Sequence, residues 1–301
     1  MHWACRVRRH HFGNAVKLCS IVAGKLGACS EDCKWCAQSG SRLGCEADQS
    51  KRTSMDDISA AAGEAAAVGA GSFGIVNSGR RPAERDLIEV EKAAERIRCE
   101  LGCGIRLCAS VGELTVQQAG RLKAAGVSRY NHNLETSRRM YGRMVSTHGY
   151  EDRLRTLAAV REAGLSLCCG GIFGLGETWA DRVEMALTLR DQVRPDVVPL
   201  NFLHPIPGTA LQDVEPPAPM EILTIIAVFR MVLPTVDLKI AGGREANLRD
   251  LQSWMFYAGA TSCLIGNYLT TCGRPADDDL CMIADLGLNV VAELPAAAAS
   301  R

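Results

Sequence analysis

Two periods alternate along the chain. Short runs rich in apolar or β-branched residues recur at 18–24 (LCSIVAG), 72–79 (SFGIVNSG), 105–112 (IRLCASVG), 128–136 (SRYNHNLET), 165–175 (LSLCCGGIFGL), 196–203 (DVVPLNFL), 237–244 (DLKIAGGR) and 262–269 (SCLIGNYL). Runs of this kind predict eight β-strands. Between them, 54–70 (SMDDISAAAGEAAAVGA), 84–102 (ERDLIEVEKAAERIRCELG), 115–126 (TVQQAGRLKAAG), 150–164 (YEDRLRTLAAVREAG) and 219–232 (PMEILTIIAVFRMV) repeat their apolar positions near the 3.6 period of a helix. Several helices end at a Gly shortly before the next strand, as parallel strands joined by right-handed crossovers require. The fold class is α/β, and the economical closure is a (β/α)8 TIM-type barrel, with an open doubly wound sheet as the competing arrangement. One domain is expected over residues 1–301, with a short N-terminal extension (1–17) and a frayed tail (293–301). The Pro-rich EPPAPM (215–220) reads as a loop within that domain.

Charge changes this picture only by exclusion. The 34 basic and 34 acidic residues cancel, so no field of one sign draws in nucleic acid or an anionic membrane. No apolar run is long enough to span a bilayer, and MHWACRVRRHHFGN starts basic without the apolar core of a secretion signal. A cytoplasmic setting is expected. Fourteen cysteines fit it, as thiols that bind metal or fill core space rather than as a disulfide framework. Cys5, Cys45, Cys99, Cys103, Cys263, Cys272 and Cys281 fall in no ligand spacing.

The chemistry concentrates in GACSEDCKWCAQS (27–39), in the loop after the first strand. Cys29, Cys33 and Cys36 form C-x3-C-x2-C, and a cubane held by three cysteines keeps one iron without a protein ligand. That open iron accepts the amino and carboxylate groups of S-adenosylmethionine, whose sulfonium an electron from the cluster cleaves. The alternative is structural zinc, which wants four closed ligands, and no histidine follows at finger-like spacing.

With these motifs the chain resembles the radical S-adenosylmethionine superfamily and, within it, the biotin synthase family, over nearly its whole length. The resemblance implies a [4Fe-4S] cluster on Cys29, Cys33 and Cys36, with Trp35 against the adenine. Gly170 to Glu177 (GGIFGLGE) is similar to the superfamily's G-x-I-x-G-x-x-E pattern, with Ile172 as the apolar adenine contact. In YNHNLET, strand alternation sends Asn131, Asn133 and Glu135 to one face. The resemblance gives Asn133 and Glu135 to the ribose and Asn131 to the ureido ring of dethiobiotin. The family usually has aspartate where Glu135 stands. Arg153 matches an arginine that pairs with the methionine carboxylate, a task suited to the guanidinium fork. Asn201 matches a second ureido contact, and Thr270 and Thr271 a receiver of the dethiobiotin carboxylate.

The resemblance also implies an auxiliary iron-sulfur cluster that supplies sulfur. In the familiar branch three cysteines and an arginine hold a [2Fe-2S] centre. Here Cys108 and Cys168 match two of the cysteines, the third falls at or near Gly74, and Lys239 replaces the arginine. Cys19, in the first strand, is a compensating thiol, so an auxiliary cluster of altered nuclearity or composition is expected. Strand alternation lets only one of Cys168 and Cys169 face inward, and Cys168 is the expected ligand. The implied reaction is radical sulfur insertion. A deoxyadenosyl radical takes hydrogen from the methyl carbon of dethiobiotin, sulfur is captured, and a second cleavage at the methylene carbon closes the ring. No side chain is assigned as acid or base. A reducing electron-transfer protein and a homodimer are implied partners. A hydrogenase-cofactor maturase on the same barrel and a noncatalytic thiol-rich metal-binding protein are the alternatives.

Overall fold

A computed structural model describes residues 1–27, 29–41 and 51–295. Cys45 and the last six residues of the expected tail lie outside the described residues. Eight parallel strands close a barrel: β1 (Ala15–Leu26), β2 (Ser72–Asn77), β3 (Arg106–Ser110), β4 (Arg129–Asn131), β5 in two pieces (Ser166–Cys168 and Gly171–Phe173), β6 (Val197–Phe202), β7 (Asp237–Ile240) and β8 (Ser262–Leu264). Each pairs with the next, and β8 returns to β1 with Leu264 beside Cys19, so the open sheet is excluded. Lys51–Arg52 adds an antiparallel pair to the end of β1, and Asn289–Val290 a parallel pair to its start.

The predicted helices are present as Met55–Ala67, Glu84–Leu101, Val116–Ala124, Tyr150–Glu162 and Pro219–Val232. Their starts are set locally. Ser54 accepts from the Asp57 backbone N–H, and Thr115 and Gln118 form a reciprocal capping box. Within the expected extension, His2–Phe12 is a helix and β1 begins at Ala15. Arg8, buried, donates to the carbonyls of Ala260, Gly13 and Ala15, which fastens that helix under the barrel. Among the described residues no helix is long and apolar enough to cross a membrane.

Alternation sorts the strands into two faces. Phe73, Ile75, Leu107, Ala109, Tyr130, Leu167, Val198, Leu200, Leu238 and Ile240 pack outward into one continuous core beneath the helices. The opposite phase holds Lys17, Cys19, Ser72, Gly74, Cys108, Arg129, Asn131, Cys168, Asp237, Lys239 and Ser262, neighbours in register around the barrel. Barrel interiors of this type are ordinarily filled by bulky branched residues. This lumen keeps some apolar residues, Ile21, Val197, Pro199 and Leu264 in the same phase, but sets thiols and charged side chains among them.

At the mouth, Arg244 after β7 makes a two-pronged ion pair with Asp279 of helix Ala276–Asp285, and neither side chain reaches solvent. Removing one partner strands the other charge, so Asp279→Ala is expected to cost about 3–5 kcal/mol in chemical denaturation. A loss below about 1 kcal/mol would show that the pair contributes little.

Candidate active site

The cysteine loop crosses the barrel mouth and is held from two sides. Gln38 accepts from the Gly27 backbone (2.9 Å), and Ser39 donates to the Glu31 carbonyl (2.8 Å). Asp32 accepts from the backbone N–H of Ser146 (2.9 Å) and of Thr147 (3.3 Å), tying the loop to the segment before helix Tyr150–Glu162. Cys29, Cys33 and Cys36 all line one chamber of about 230 Å³. Burial pushes the Cys33 thiol up and the Cys36 thiol to about 11, and each is raised further by its neighbouring thiols. Among the described residues no three His, Cys, Asp or Glu side chains sit close enough to share a single metal ion. A cubane asks instead that each thiolate reach a different corner, and three thiols spread over one chamber wall suit that donor set.

The same chamber is walled by Trp35, His132, Glu135, His148 and Arg153. Arg153 donates from Nε to the Tyr141 hydroxyl (2.9 Å), and among the described residues no carboxylate pairs with it. Burial opposes its charge, but Tyr141 and Glu135 raise its pKa on balance. An enclosed guanidinium without an ion-pair partner is a receptor for an anionic ligand group. Glu135 is raised by burial, against the pull of Arg153 and Asn133.

The alternation expected through residue 136 stops early. β4 ends at Asn131, and Glu135 sits at φ 69°, in the left-handed region that side chains rarely adopt. The turn is held by Glu135 N–H to the Gly170 carbonyl (3.2 Å) and Ile172 N–H to the Glu135 carbonyl (2.7 Å). A Cβ at Gly170 would stand 2.0 Å from the Pro199 carbonyl oxygen, and one at Gly171 would stand 2.4 Å from that of Glu135. Close backbone approach therefore explains Gly170 and Gly171 of GGIFGLGE, whereas Gly174 and Gly176 take positive φ. Its Glu177 carboxylate accepts from the backbone of Gly174 and Leu175 and from Arg182, folding the turn. Asn133 joins the same knot, accepting from Gly170 N–H (3.1 Å) and donating to Glu135 (3.4 Å). His132, which alternation would send away, faces the chamber.

Trp35, Cys36 and Gln38 also border a second cavity of about 290 Å³, lined by Ile21, Ile172, Asn201, His204, Tyr268, Thr270 and Thr271 among others. Asn201 spends its amide on backbone, donating to the Gly171 carbonyl (3.1 Å) and accepting from Gly242 N–H (2.9 Å). Asn131 lies below both cavities with a buried, unpartnered Oδ1.

Deeper in the lumen Cys19, Cys108 and Cys168 are all buried. Lys239 donates from Nζ to the Cys168 sulfur (3.6 Å), and the Ser72 hydroxyl donates to Cys19 (2.9 Å). Burial raises the Cys108 and Cys168 thiols, while Lys239 and Arg129 pull them down. A Cβ on Gly74 would lie 3.7 Å from that of Cys108, so the missing cysteine's place is beside the trio. Cys169 packs outward in the apolar core, leaving Cys168 to face inward. Of the cysteines outside any ligand spacing, Cys5 and Cys263 are buried, whereas Cys99, Cys103, Cys272 and Cys281 are exposed and fill no core.

Sequence reasoning missed three lumen charges. Lys17 pairs with Asp237 at 2.7 Å, and Arg129 is buried with its Nε unpartnered. With Lys239, three basic side chains face one carboxylate. This surplus, together with three thiols, fits an anionic iron-sulfur group. The signal was available, because Lys17, Arg129 and Asp237 share the strand phase of Cys19, Asn131 and Lys239.

A family model of the Radical SAM superfamily matches residues 26–189, and one of the Biotin and Thiamin Synthesis associated domain matches 199–289. A biotin synthase of Trichlorobacter lovleyi is 48% identical over 97% of this chain and 86% of its own. One from Geobacter sulfurreducens is 48% identical over 95% of this chain and 86% of its own. Among solved structures, the [FeFe]-hydrogenase maturase HydG superposes with TM-score 0.80 at 17% identity, covering 95% of this chain and 66% of that one. Methylornithine synthase does so with TM-score 0.80 at 18% identity, covering 96% and 87%. At such identities the likeness shows the barrel alone.

Proposed function

The chain belongs to the biotin synthase family of the radical S-adenosylmethionine superfamily, and from that premise we propose how its own residues divide the work. It is a radical S-adenosylmethionine enzyme that inserts sulfur into dethiobiotin to form biotin. The observation that carries the assignment of roles is the adjacency of the two upper cavities across Trp35 and Cys36, above a thiol-lined lumen.

When bound, the open-cornered [4Fe-4S] cluster supplies the electron that cleaves S-adenosylmethionine to a 5′-deoxyadenosyl radical, and the auxiliary centre supplies the sulfur. Cys29, Cys33 and Cys36 hold the first group. Arg153 takes the methionine carboxylate, Glu135 and Asn133 the ribose, and Trp35 and Ile172 flank the adenine. Asn131, Asn201, Thr270 and Thr271 hold dethiobiotin. Cys19, Cys108 and Cys168 hold the auxiliary iron-sulfur centre, with Lys239 and Arg129 balancing its charge. The polypeptide's contribution is alignment and exclusion of water, while the hard chemistry belongs to the cofactors. The reading includes an external reducing protein and a homodimer, both from family resemblance. It places the protein in the cytoplasm, which the free thiols at every described cysteine support.

Anaerobic turnover with reductant, S-adenosylmethionine and dethiobiotin is expected to yield biotin and 5′-deoxyadenosine together. Deoxyadenosine without biotin would overturn sulfur insertion into dethiobiotin, and absence of both would overturn the radical chemistry.

A further inference from the structure

His148 stands between two parts of the site that were assigned separately. Its Nδ1 lies 2.6 Å from Glu31 Oε2, and its Nε2 lies 3.2 Å from Arg153 Nη2. A guanidinium only donates and a carboxylate only accepts. Nε2 must therefore accept from Arg153, and Nδ1 must carry the proton donated to Glu31, which fixes the ring as neutral in one tautomer. Glu31 is itself fixed, buried and accepting from Ser30 (3.0 Å) and Thr147 (2.6 Å). It sits in the sequence between Cys29 and Cys33. The Tyr141 ring meets the imidazole edge to face at 5.9 Å while its hydroxyl accepts from Arg153, so the guanidinium is gripped at Nε and Nη2.

We propose that His148 is a positioning residue, a neutral relay that locks the Arg153 guanidinium to the cysteine loop through Glu31. The inference rests on the assignment of Arg153 to the methionine carboxylate. Arg153 and the cysteine loop are far apart in sequence and move independently in an unfolded chain. The Glu31–His148–Arg153 chain sets one distance between the carboxylate receptor and the cluster's open corner, and S-adenosylmethionine must bridge both at once. Glutamine can reproduce both bonds, donating from its amide nitrogen to Glu31 and accepting at its oxygen from Arg153. Phenylalanine can make neither.

The test uses the full chain reconstituted anaerobically, with S-adenosylmethionine binding measured by equilibrium dialysis and the reduced cluster's paramagnetic resonance spectrum recorded with and without it. His148→Phe is expected to weaken binding about tenfold and to blunt the spectral change, as loss of a hydrogen bond to a charged group does, with His148→Gln within about threefold of the parent. Glu31→Leu, whose side chain cannot accept from Nδ1, is expected to weaken binding at least about threefold. It carries the test should His148→Phe take up no iron. Parent-like binding in His148→Phe or in Glu31→Leu overturns the relay, as does equal weakening in His148→Phe and His148→Gln. Arg153→Ala separates the premises. If it binds as the parent does, the assignment of Arg153 itself fails; if it binds weakly while His148→Phe binds normally, only the relay fails.

Discussion

Alanine at Cys29, Cys33 or Cys36 is expected to bring reductive cleavage of S-adenosylmethionine to background while leaving the barrel folded. The two halves of that expectation have separate physical grounds. The thiols sit on a loop across the barrel mouth, half-buried, and the loop is shaped by other groups: Gln38 at Gly27, Ser39 at the Glu31 carbonyl, and Asp32 at Ser146 and Thr147. Beyond these, the Cys36 sulfur accepts only one long bond, from the Gln38 backbone N–H (3.4 Å), so unfolding should shift by no more than about 1 kcal/mol. The cubane, in contrast, has three protein ligands and no spare. Loss of an outer partner of a metal ligand typically costs roughly 10- to 100-fold, and loss of a ligand from a set of three should exceed that. Iron and sulfide analysis of each variant, alongside quantification of 5′-deoxyadenosine, checks both halves. A variant that keeps its cubane and its deoxyadenosine would remove the assignment of the thiols, and one that fails to fold would make the loop structural.

The barrel was legible because its two periods are clean. Segments with 3.6 spacing became helices within three residues of expectation at either end, and strand order followed from alternation with crossovers. The N-terminal helix was less legible, since Arg8 reads as a solvated cation until the carbonyls of Gly13, Ala15 and Ala260 are brought around it. In YNHNLET, periodicity held only for the first residue: Asn131 faces inward as a strand residue, Asn133 turns its amide to Gly170 and Glu135, and Glu135 alone of the three lines the chamber, through a left-handed turn at φ 69°. The Gly–Gly that permits this turn lies on the next strand, out of reach of any local pattern. Long-range polar contacts were opaque altogether. Nothing in SEDCKW or STHGY announces that Glu31 and His148 will meet at 2.6 Å. The lumen charges were an intermediate case, because their phase was readable but which phase faces inward depends on closure of the sheet.

Alanine at Cys108 or Cys168 is expected to split the reaction that Cys29→Ala abolishes, with deoxyadenosine still formed and biotin reduced to background. The lumen thiols lie below the cofactor chamber and border neither upper cavity, so their loss should spare S-adenosylmethionine cleavage. Their surroundings argue against a mere core role. A thiol that only fills space has apolar neighbours, as Cys169 has on the outer face of the same strand. Cys168 instead meets the Lys239 ammonium at 3.6 Å, and Arg129 Nε stays unpartnered beside a single carboxylate that Lys17 already neutralises. Burying cations without matching anions is costly, and thiolates carrying an iron-sulfur group supply the missing negative charge. The variants should lose the iron and sulfide in excess of one cubane, and Cys19→Ala should behave alike if it is the third ligand. Were these cysteines packing alone, each alanine would cost on the order of 1 kcal/mol in stability and leave biotin formation intact. Parent protein whose iron and sulfide amount to one cubane, with biotin still produced by Cys168→Ala, would leave the lumen without an auxiliary centre.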